Sequence, residues 1–522
     1  MATKLGPVMG FRGAIKGVWN VSVLVAVDAK NAPKLTLNTN EAPEPKVEKI
    51  GTVRAGRADL TVWRFDCAIK QSSKELAAKY SVDGEEWTFT VPPLNVAPRM
   101  AYGSCNGFSS LKLLKSTRDP HALWRDVLEK HAGTPFHLLL LGGDQVYSDG
   151  IWEELRPLAD WAALKTEEGI EYKPSQALVR QIKEYYEELY PRRWMQTDLR
   201  KAFATIPTVM MWDDHDIFDG WGSYAKELQE CYVYKALFAA ARDAFALYQH
   251  QVGAAERHPL AIPGQDYFSL GFQVGSTAIL VPDMRSERRE DQVMSPPTWK
   301  AVYEWLDQLP DAEKPGGAKH LFIMSSIPVV YPDFQLLENA LGLFPGRQEL
   351  EDDLRDHWTS PPHRQERLRL IHRLLAFSEA KQCRVTILSG DVHVGAVGVV
   401  RSERSSSTSV AVKTMNQLTS SGIVHPAPPG MVLFFLENVA DKISNDDSGV
   451  SSQLIEIPGT HYHFLGSRNW LALHPDQEMR YWANWHVETE KFPYIKVVHP
   501  ANFEMPAPKL SNEAIVATPS SG

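Results

Sequence analysis

The chain has 522 residues, 43% apolar and 23% charged, with a net charge of −9. That composition excludes a disordered or fibrous protein and allows two or three domains with sizeable cores. The acidic balance argues against gripping nucleic acid or an anionic membrane by bulk field, and no run reaches the ~18 apolar residues of a membrane span.

The four cysteines, Cys67, Cys105, Cys231 and Cys383, are widely spaced and form no CxxC pair. They do not make a disulfide framework and are compatible with a reducing compartment. Gly17 to Ala29, GVWNVSVLVAVDA, alternates apolar and polar residues and has no basic cluster before it. It reads as a strand rather than an export signal, so the expected location is cytoplasmic; a chain trimmed of its signal would read the same way.

Residues 1–97 carry short alternating runs separated by turn residues: VSVLVAV, KLTLN, DLTVWRFDC, EEWTFTV. The pattern predicts a small β-sandwich domain. The proline-rich VPPLNVAPR (Val91 to Arg99) is the expected linker. Beyond it, over 98–508, apolar runs alternate with amphipathic segments, the signature of an α/β sheet. Helices are expected over Pro120–His131, Ser175–Tyr190, Lys226–His250 and His363–Ser378. The aromatic and acidic stretch Pro328–Thr359 is expected to be a loop beside a cleft, and residues 509–522 a loose tail.

Polar residues fall at the ends of the buried-type runs. RMAYGSC ends at Cys105. FHLLLLGGDQVYSD reaches Asp144, with Tyr147 beyond it. IPTVMMWDDHD ends in Asp213, Asp214, His215 and Asp216. RVTILSGDVHVG carries Asp391 and His393. TAILVPDMRSERR adds Asp283 and Arg285, and HLFIMSSIPVV adds Ser325 and Ser326. Ligand sites of open α/β sheets lie outside the carboxyl ends of the strands, so these residues are expected to converge. Carboxylates crowded in this way are tolerable when cations sit among them, and the row therefore reads as part of a polynuclear metal site.

The set GSC, GGDQVYSD, WDDHDIFDGW, PDMRSER and LSGDVHVG, in this order, resembles the alkaline phosphatase D (PhoD-like) branch of the calcineurin-like metallophosphoesterases. The resemblance implies an α/β (α+β) fold, a four-layer αββα sandwich behind a small N-terminal β-sandwich. By motif position it implies Cys105, Asp144, Tyr147, Asp214, Asp391 and His393 as metal ligands, with Asp144 bridging. It puts His215 beside the scissile phosphate and Asp216 behind His215 as its orienting partner. The sequence departs from the wider superfamily where GSC replaces Asp-x-His and where Gly390-Asp391-Val392-His393 replaces GHxH. No histidine is evident at the fourth motif. The donors are carboxylate-rich, with one thiolate and one phenolate; they suit the iron with calcium that the resemblance implies, with zinc or manganese as other options.

The expected reaction is hydrolysis of a small phosphoester by a metal-activated water attacking phosphorus in line, of alkaline phosphatase or phosphodiesterase type. His215 is the expected acid and Arg285 a holder of a phosphate oxygen, against a salt bridge as its bland reading. Arg288 and Arg289 read as surface charges. His461, His463, Arg468 and the run RYWANWHVE read as strand and core residues. The alternatives are a phosphotriesterase on the same fold and a non-catalytic metal-stabilised binding module. A serine hydrolase lacks its GxSxG after any strand, and oligomeric state is open.

Overall fold

A computed structural model describes residues 3–39, 42–56, 58–332, 358, 360–404, 412–440 and 443–501. Most of the stretch expected to line a cleft, and the C-terminal tail, lie outside the described residues. The strands in chain order are β1 (Thr3–Ile15), β2 (Val18–Val27), β3 (Leu35–Asn38), β4 (Lys46–Ala55), β5 (Ala58–Lys70), β6 (Leu76–Val82), β7 (Glu85–Val91), β8 (Met100–Gly103), β9 (Leu138–Gly142), β10 (Thr208–Met211), β11 (Leu270–Val274), β12 (Thr277–Val281), β13 (His320–Ser325), β14 (Arg384–Ser389), β15 (Gly395–Ser402), β16 (Thr414–Thr419), β17 (Ser444–Asp447), β18 (Val450–Ile455), β19 (Phe464–Leu465), β20 (Asn469–Pro475), β21 (Tyr481–Val487) and β22 (Tyr494–Val498).

Two large sheets form the body. One runs β22-β21-β20-β8-β9-β10-β1-β2-β5-β4, the other β11-β12-β13-β14-β16-β15-β18-β17, with β19 beside β15. β8, β9 and β10 are parallel, as are β12, β13, β14 and β16. Strands of this kind are covered on both faces, which is why they read as unbroken apolar runs such as LLLLG. In β9, Leu138 and Leu140 turn inward to meet Phe322, Met324 and Leu388 of the other sheet. Leu139 and Leu141 turn outward into the core formed with the helices Ala122–Gly133, Gln176–Trp194 and Tyr232–Tyr248. On the far side, Pro296–Gln308 and Arg364–Lys381 cover the second sheet. The order is helix, sheet, sheet, helix, as expected.

The N-terminal region is all-β. β3, β6 and β7 form a separate sheet, and Ala78, Tyr80 and Phe89 from it share a core with Val21, Val23, Val25 and Phe65. This sandwich is not hung on a linker. β1 runs parallel to β10 at Gly10 and Thr208, so the sandwich continues the sheet of β8, β9 and β10, and the Thr208 hydroxyl donates to the Met9 carbonyl at 2.8 Å.

The helix expected over 226–250 is two helices, Lys226–Gln229 and Tyr232–Tyr248. Cys231 is extended between them, and its sulfur accepts from the Tyr234 N–H to cap the second. The strand read at Gly17–Ala29 is β2. Among the described residues no helix is long and apolar enough to cross a membrane. All four cysteines are unpaired and buried.

Side-chain bonds cross between the sheets. Trp485 Nε1 on β21 donates to the Thr419 carbonyl on β16 at 2.9 Å, and the Tyr481 hydroxyl meets Thr277 Oγ1 on β12 at 2.7 Å. Trp485→Ala is expected to lose ~3–5 kcal/mol in urea unfolding, from cavity and lost burial together, and Trp485→Phe distinctly less. Stability should also depend on pH through buried neutral histidines. Burial holds His250 down to about 3 and His320 to about 4, whereas the unfolded chain protonates near ~6.5. Below that value the unfolded state binds more protons, so stability should fall as pH drops from ~6.5 toward 4, readable as a falling unfolding midpoint.

Candidate metal centre

The carboxyl ends of the parallel strands of both sheets open on one side. Cys105 follows β8, Asp144 follows β9, Asp213–Asp216 follow β10, and Asp391 and His393 follow β14. The turns off these strands are tight. Cys105, Asp144, Asp391 and His393 have φ of +55°, +56°, +70° and +53°, the left-handed region that costs a side-chain-bearing residue about 1–3 kcal/mol. Gly143 allows the chain to turn at φ +101°; a Cβ there would lie 2.7 Å from that of Asp213.

These turns bring Asp144, Asp213, Asp214 and Asp391 together, each offering an oxygen within 4.8 Å of the others; Asp144, Asp214 and His215 make a second such group. The Cys105 sulfur is 3.5 Å from Asp144 Oδ2 and 3.0 Å from Ser421 Oγ. Burial, then the charge of Asp213, pushes the Asp144 carboxyl well above the usual range. Burial and Asp144 raise the Cys105 thiol, and burial with Cys105 raises the Tyr147 phenol. At an effective dielectric of 20, two charges 4 Å apart interact by ~4 kcal/mol, so this cluster cannot stay ionised unless positive charge is supplied.

The donor set fits cations. It offers hard carboxylate oxygens, one sulfur and one imidazole, enclosed and close together. Asp144 Oδ1 and His393 Nε2 are buried without a hydrogen-bond partner in the protein. Buried polar atoms are rarely left so, and a bound ion is one of the partners that explains them.

Two expected roles are corrected. Arg285 does not present a guanidinium to a phosphate. It is 0% exposed, its Nε pairs with Asp213, its Nη2 lies 3.4 Å from Asp214, and its Nη1 donates to the Trp221 carbonyl at 2.8 Å. It lies behind the carboxylates as a fixed counter-charge. Its salt bridge is with these aspartates rather than with Asp283, which instead accepts from the Arg285 and Phe268 N–H groups.

Asp216 does not orient His215. It accepts the N–H groups of Asp144, Gln145, Val146 and Asp213 at 2.8–3.1 Å, and Gln249 Nε2 at 3.0 Å. It clamps the β9 turn to the β10 turn, and burial pushes it up to about 7 against the pull of those donors. The partner of His215 is Asp149, 2.8 Å from Nδ1. Burial opposes charge on His215, but Asp149 and Asp214 outweigh it and hold the imidazole well above its ordinary value.

Asp149 stands in the same GGDQVYSD motif, two residues after Tyr147 on the tight loop that follows β9; that proximity was the available signal. His425 was also missed. It follows β16, whose TMNQLT carries Asn416 and Gln417 and does not read as a buried strand; Gln417 is satisfied inside by both backbone groups of Val330 at 2.8 Å. Arg288, expected on the surface, is 2% exposed, while Arg289 is exposed as expected. His463 is held by Glu437 and Arg468 by Glu488, both outside the cluster, and His461 is exposed.

Two layered sheets gather carboxylates, a thiol and imidazoles at their strand ends, an arrangement that could hold metal ions. A model of the PhoD related phosphatase family matches residues 94–344 and 335–454. The chain belongs to that family. A Saccharomyces cerevisiae protein, the uncharacterized protein YGR266W, is 27% identical over 515 residues, covering 81% of this chain and 72% of that one. A solved structure of PhoD shares the fold with a TM-score of 0.53 at 13% identity, covering 94% of this chain and 88% of that one. Family and fold together support a phosphoesterase-type hydrolase.

Arg285→Met should remove the buried cation that pairs with Asp213 and Asp214. The metal-free variant is expected to lose ~3–5 kcal/mol in urea unfolding.

Proposed function

We propose that the chain is a metal-dependent phosphoester hydrolase acting on a small substrate by in-line attack of an activated water. The observation that carries this reading is the meeting of Asp144, Asp213, Asp214 and Asp391 within 4.8 Å at the strand ends of two sheets. Cys105, Asp144, Tyr147, Asp214, Asp391 and His393 are the metal donors in this reading, and Asp144 and Asp214 are common to both clustered groups. Metal ions held there would act as Lewis acids on the phosphoryl group and lower the pKa of water from ~15.7 toward neutrality. The mixed hard and soft donors favour iron with calcium, with zinc or manganese as alternatives.

His215 serves as the acid. It carries a proton at neutral pH because Asp149 faces Nδ1, which leaves Nε2–H to donate to the leaving group or an equatorial oxygen. A purely structural metal site is coordinatively closed and has no use for such a pair, which weighs against a non-catalytic binding module. Asp216 acts by fixing the two turns in register. With Arg285 enclosed, the one guanidinium that the sequence offered to a monoester dianion is withdrawn, so a diester is the better fit than a monoester. Residues 1–97 serve as a scaffold continuous with the catalytic sheet, and 98–508 carry the chemistry.

Elemental analysis should find ~2 or more metal equivalents, and hydrolysis of bis-p-nitrophenyl phosphate, faster than of p-nitrophenyl phosphate, should stop on chelation. His215→Ala should keep its metal and lose ~10²–10⁴ in kcat. Asp149→Asn should lose a smaller factor, about 10–100. Protein that no iron, calcium, manganese or zinc activates would refute the reading, and an active His215→Ala would remove the acid role.

A further inference from the structure

The run TMNQLTSSGIVH places two buried serines directly after β16, outside every motif that carries the resemblance. Ser421 is 0% exposed and stands where the ends of β8, β14 and β16 meet. Its Oγ lies 3.0 Å from the Cys105 sulfur, on the turn after β8. The same oxygen accepts the His393 N–H, on the turn after β14, at 3.1 Å. Both partners hold left-handed backbone, at φ +55° and +53°, so one hydroxyl braces two strained residues. The loop then returns to β8, where the His425 N–H donates to the Cys105 carbonyl at 3.1 Å.

The direction of the bond to sulfur follows from the other bond. A serine hydroxyl carries one proton and two lone pairs. The His393 N–H can only donate, so it takes a lone pair, and the hydroxyl proton needs an acceptor of its own. Among the described residues, the sulfur is the hydrogen-bond partner left to receive it. Turned elsewhere, the proton would be buried and unpaired, which folded proteins avoid. The backbone of Ser421 is also fixed, by Asn469 on β20, itself 0% exposed. Asn469 Nδ2 donates to the Ser421 carbonyl at 2.8 Å, its Oδ1 accepts the Ser420 hydroxyl at 2.7 Å, and its N–H donates to the Gly422 carbonyl at 3.1 Å. A strand of the first sheet thereby sets the position of a loop of the second.

We propose that Ser421 is a positioning residue for the metal centre: its hydroxyl donates to the Cys105 sulfur and holds that sulfur in register with His393. A hydrogen bond to a metal-binding sulfur draws off electron density and steadies its lone pairs, and so tunes whatever metal the sulfur holds. The proposal rests on the metal-dependent reading above, and its test separates the two. The competing role is that of an ordinary buried hydrogen bond, which would steady the loop and leave the sulfur's donor strength unchanged.

Metal-free full-length protein is loaded with Co2+, and the sulfur-to-cobalt charge-transfer band is read with no substrate present. Ser421→Ala should move this band to lower energy, because a sulfur without its hydrogen bond gives up an electron more readily. Ser421→Thr keeps the hydroxyl and should hold the band at its wild-type energy. Ser420→Ala removes a buried hydroxyl of the same loop, one that bonds to Asn469, and should also leave the band in place. A band unmoved in a folded Ser421→Ala, or moved equally by Ser420→Ala or Ser421→Thr, would overturn the proposal while the metal-dependent reading stands. So would a cobalt-loaded wild type without the band, since Cys105 would then hold no metal. If Ser421→Ala does not fold, resonance Raman of the cobalt-loaded wild type decides. The metal–sulfur stretch should shift between H2O and D2O, and a stretch that stays in place overturns the proposal. A wild type that takes up neither cobalt nor iron, calcium, manganese or zinc would overturn both readings.

Discussion

Mutual repulsion among buried carboxylates is the constraint on which the rest of this structure depends. Asp144, Asp213, Asp214 and Asp391 crowd together where water cannot screen them. Arg285 is a permanent cation in contact with this group, and it lies behind Asp213 and Asp214. One guanidinium does not balance four carboxylates, so part of the cluster is either protonated or matched by cations from solution. The raised carboxyl of Asp144 expresses the first alternative, and the unpartnered Asp144 Oδ1 is suited to the second.

Such a cluster cannot hold itself together; the surrounding backbone must do so. Asp216 does this by gathering N–H groups from two successive strand ends, so that the β9 and β10 turns cannot separate. The left-handed backbone at Cys105, Asp144, Asp391 and His393 is strain that the surrounding sheets over-determine. The bonds from Trp485 to Thr419 and from Tyr481 to Thr277 pin the two sheets to each other. Because the clustered side chains come from both sheets, any sliding between them would pull the cluster apart.

Much of this was legible in the sequence because buried parallel strands announce themselves as apolar runs, and the polar residue that ends each run is conspicuous. Cys105, Asp144, Asp214 and Asp391 were found in that way. Side-chain partnerships were less legible. Asp216 is next to His215 in the chain, yet the short helix Asp214–Ile217 turns its carboxylate back onto the backbone, as in a capping box, and leaves the imidazole to Asp149. Arg285 was an even choice on sequence, since nothing local reveals that a guanidinium will be sealed from solvent. His425 was invisible because a strand carrying Asn416 and Gln417 looks polar until Val330 is seen beside it.

Three histidines of one site are thereby driven to different states by different neighbours. His215 is pushed well above its ordinary value by Asp149 and Asp214 despite its burial. His393 is held neutral by burial and by the adjoining imidazoles of His425 and His215, and His425 by burial together with His215. A proton donor and two lone-pair donors thus stand around Tyr147, whose ring lies 4.3 Å from His215 and 5.7 Å from His425. Cations favour the lone pairs and repel the protonated ring, while an anionic phosphoryl group favours the protonated ring. The three rings thus offer a protonated donor and neutral lone pairs within one site, the combination that the proposed metal-assisted hydrolysis would use.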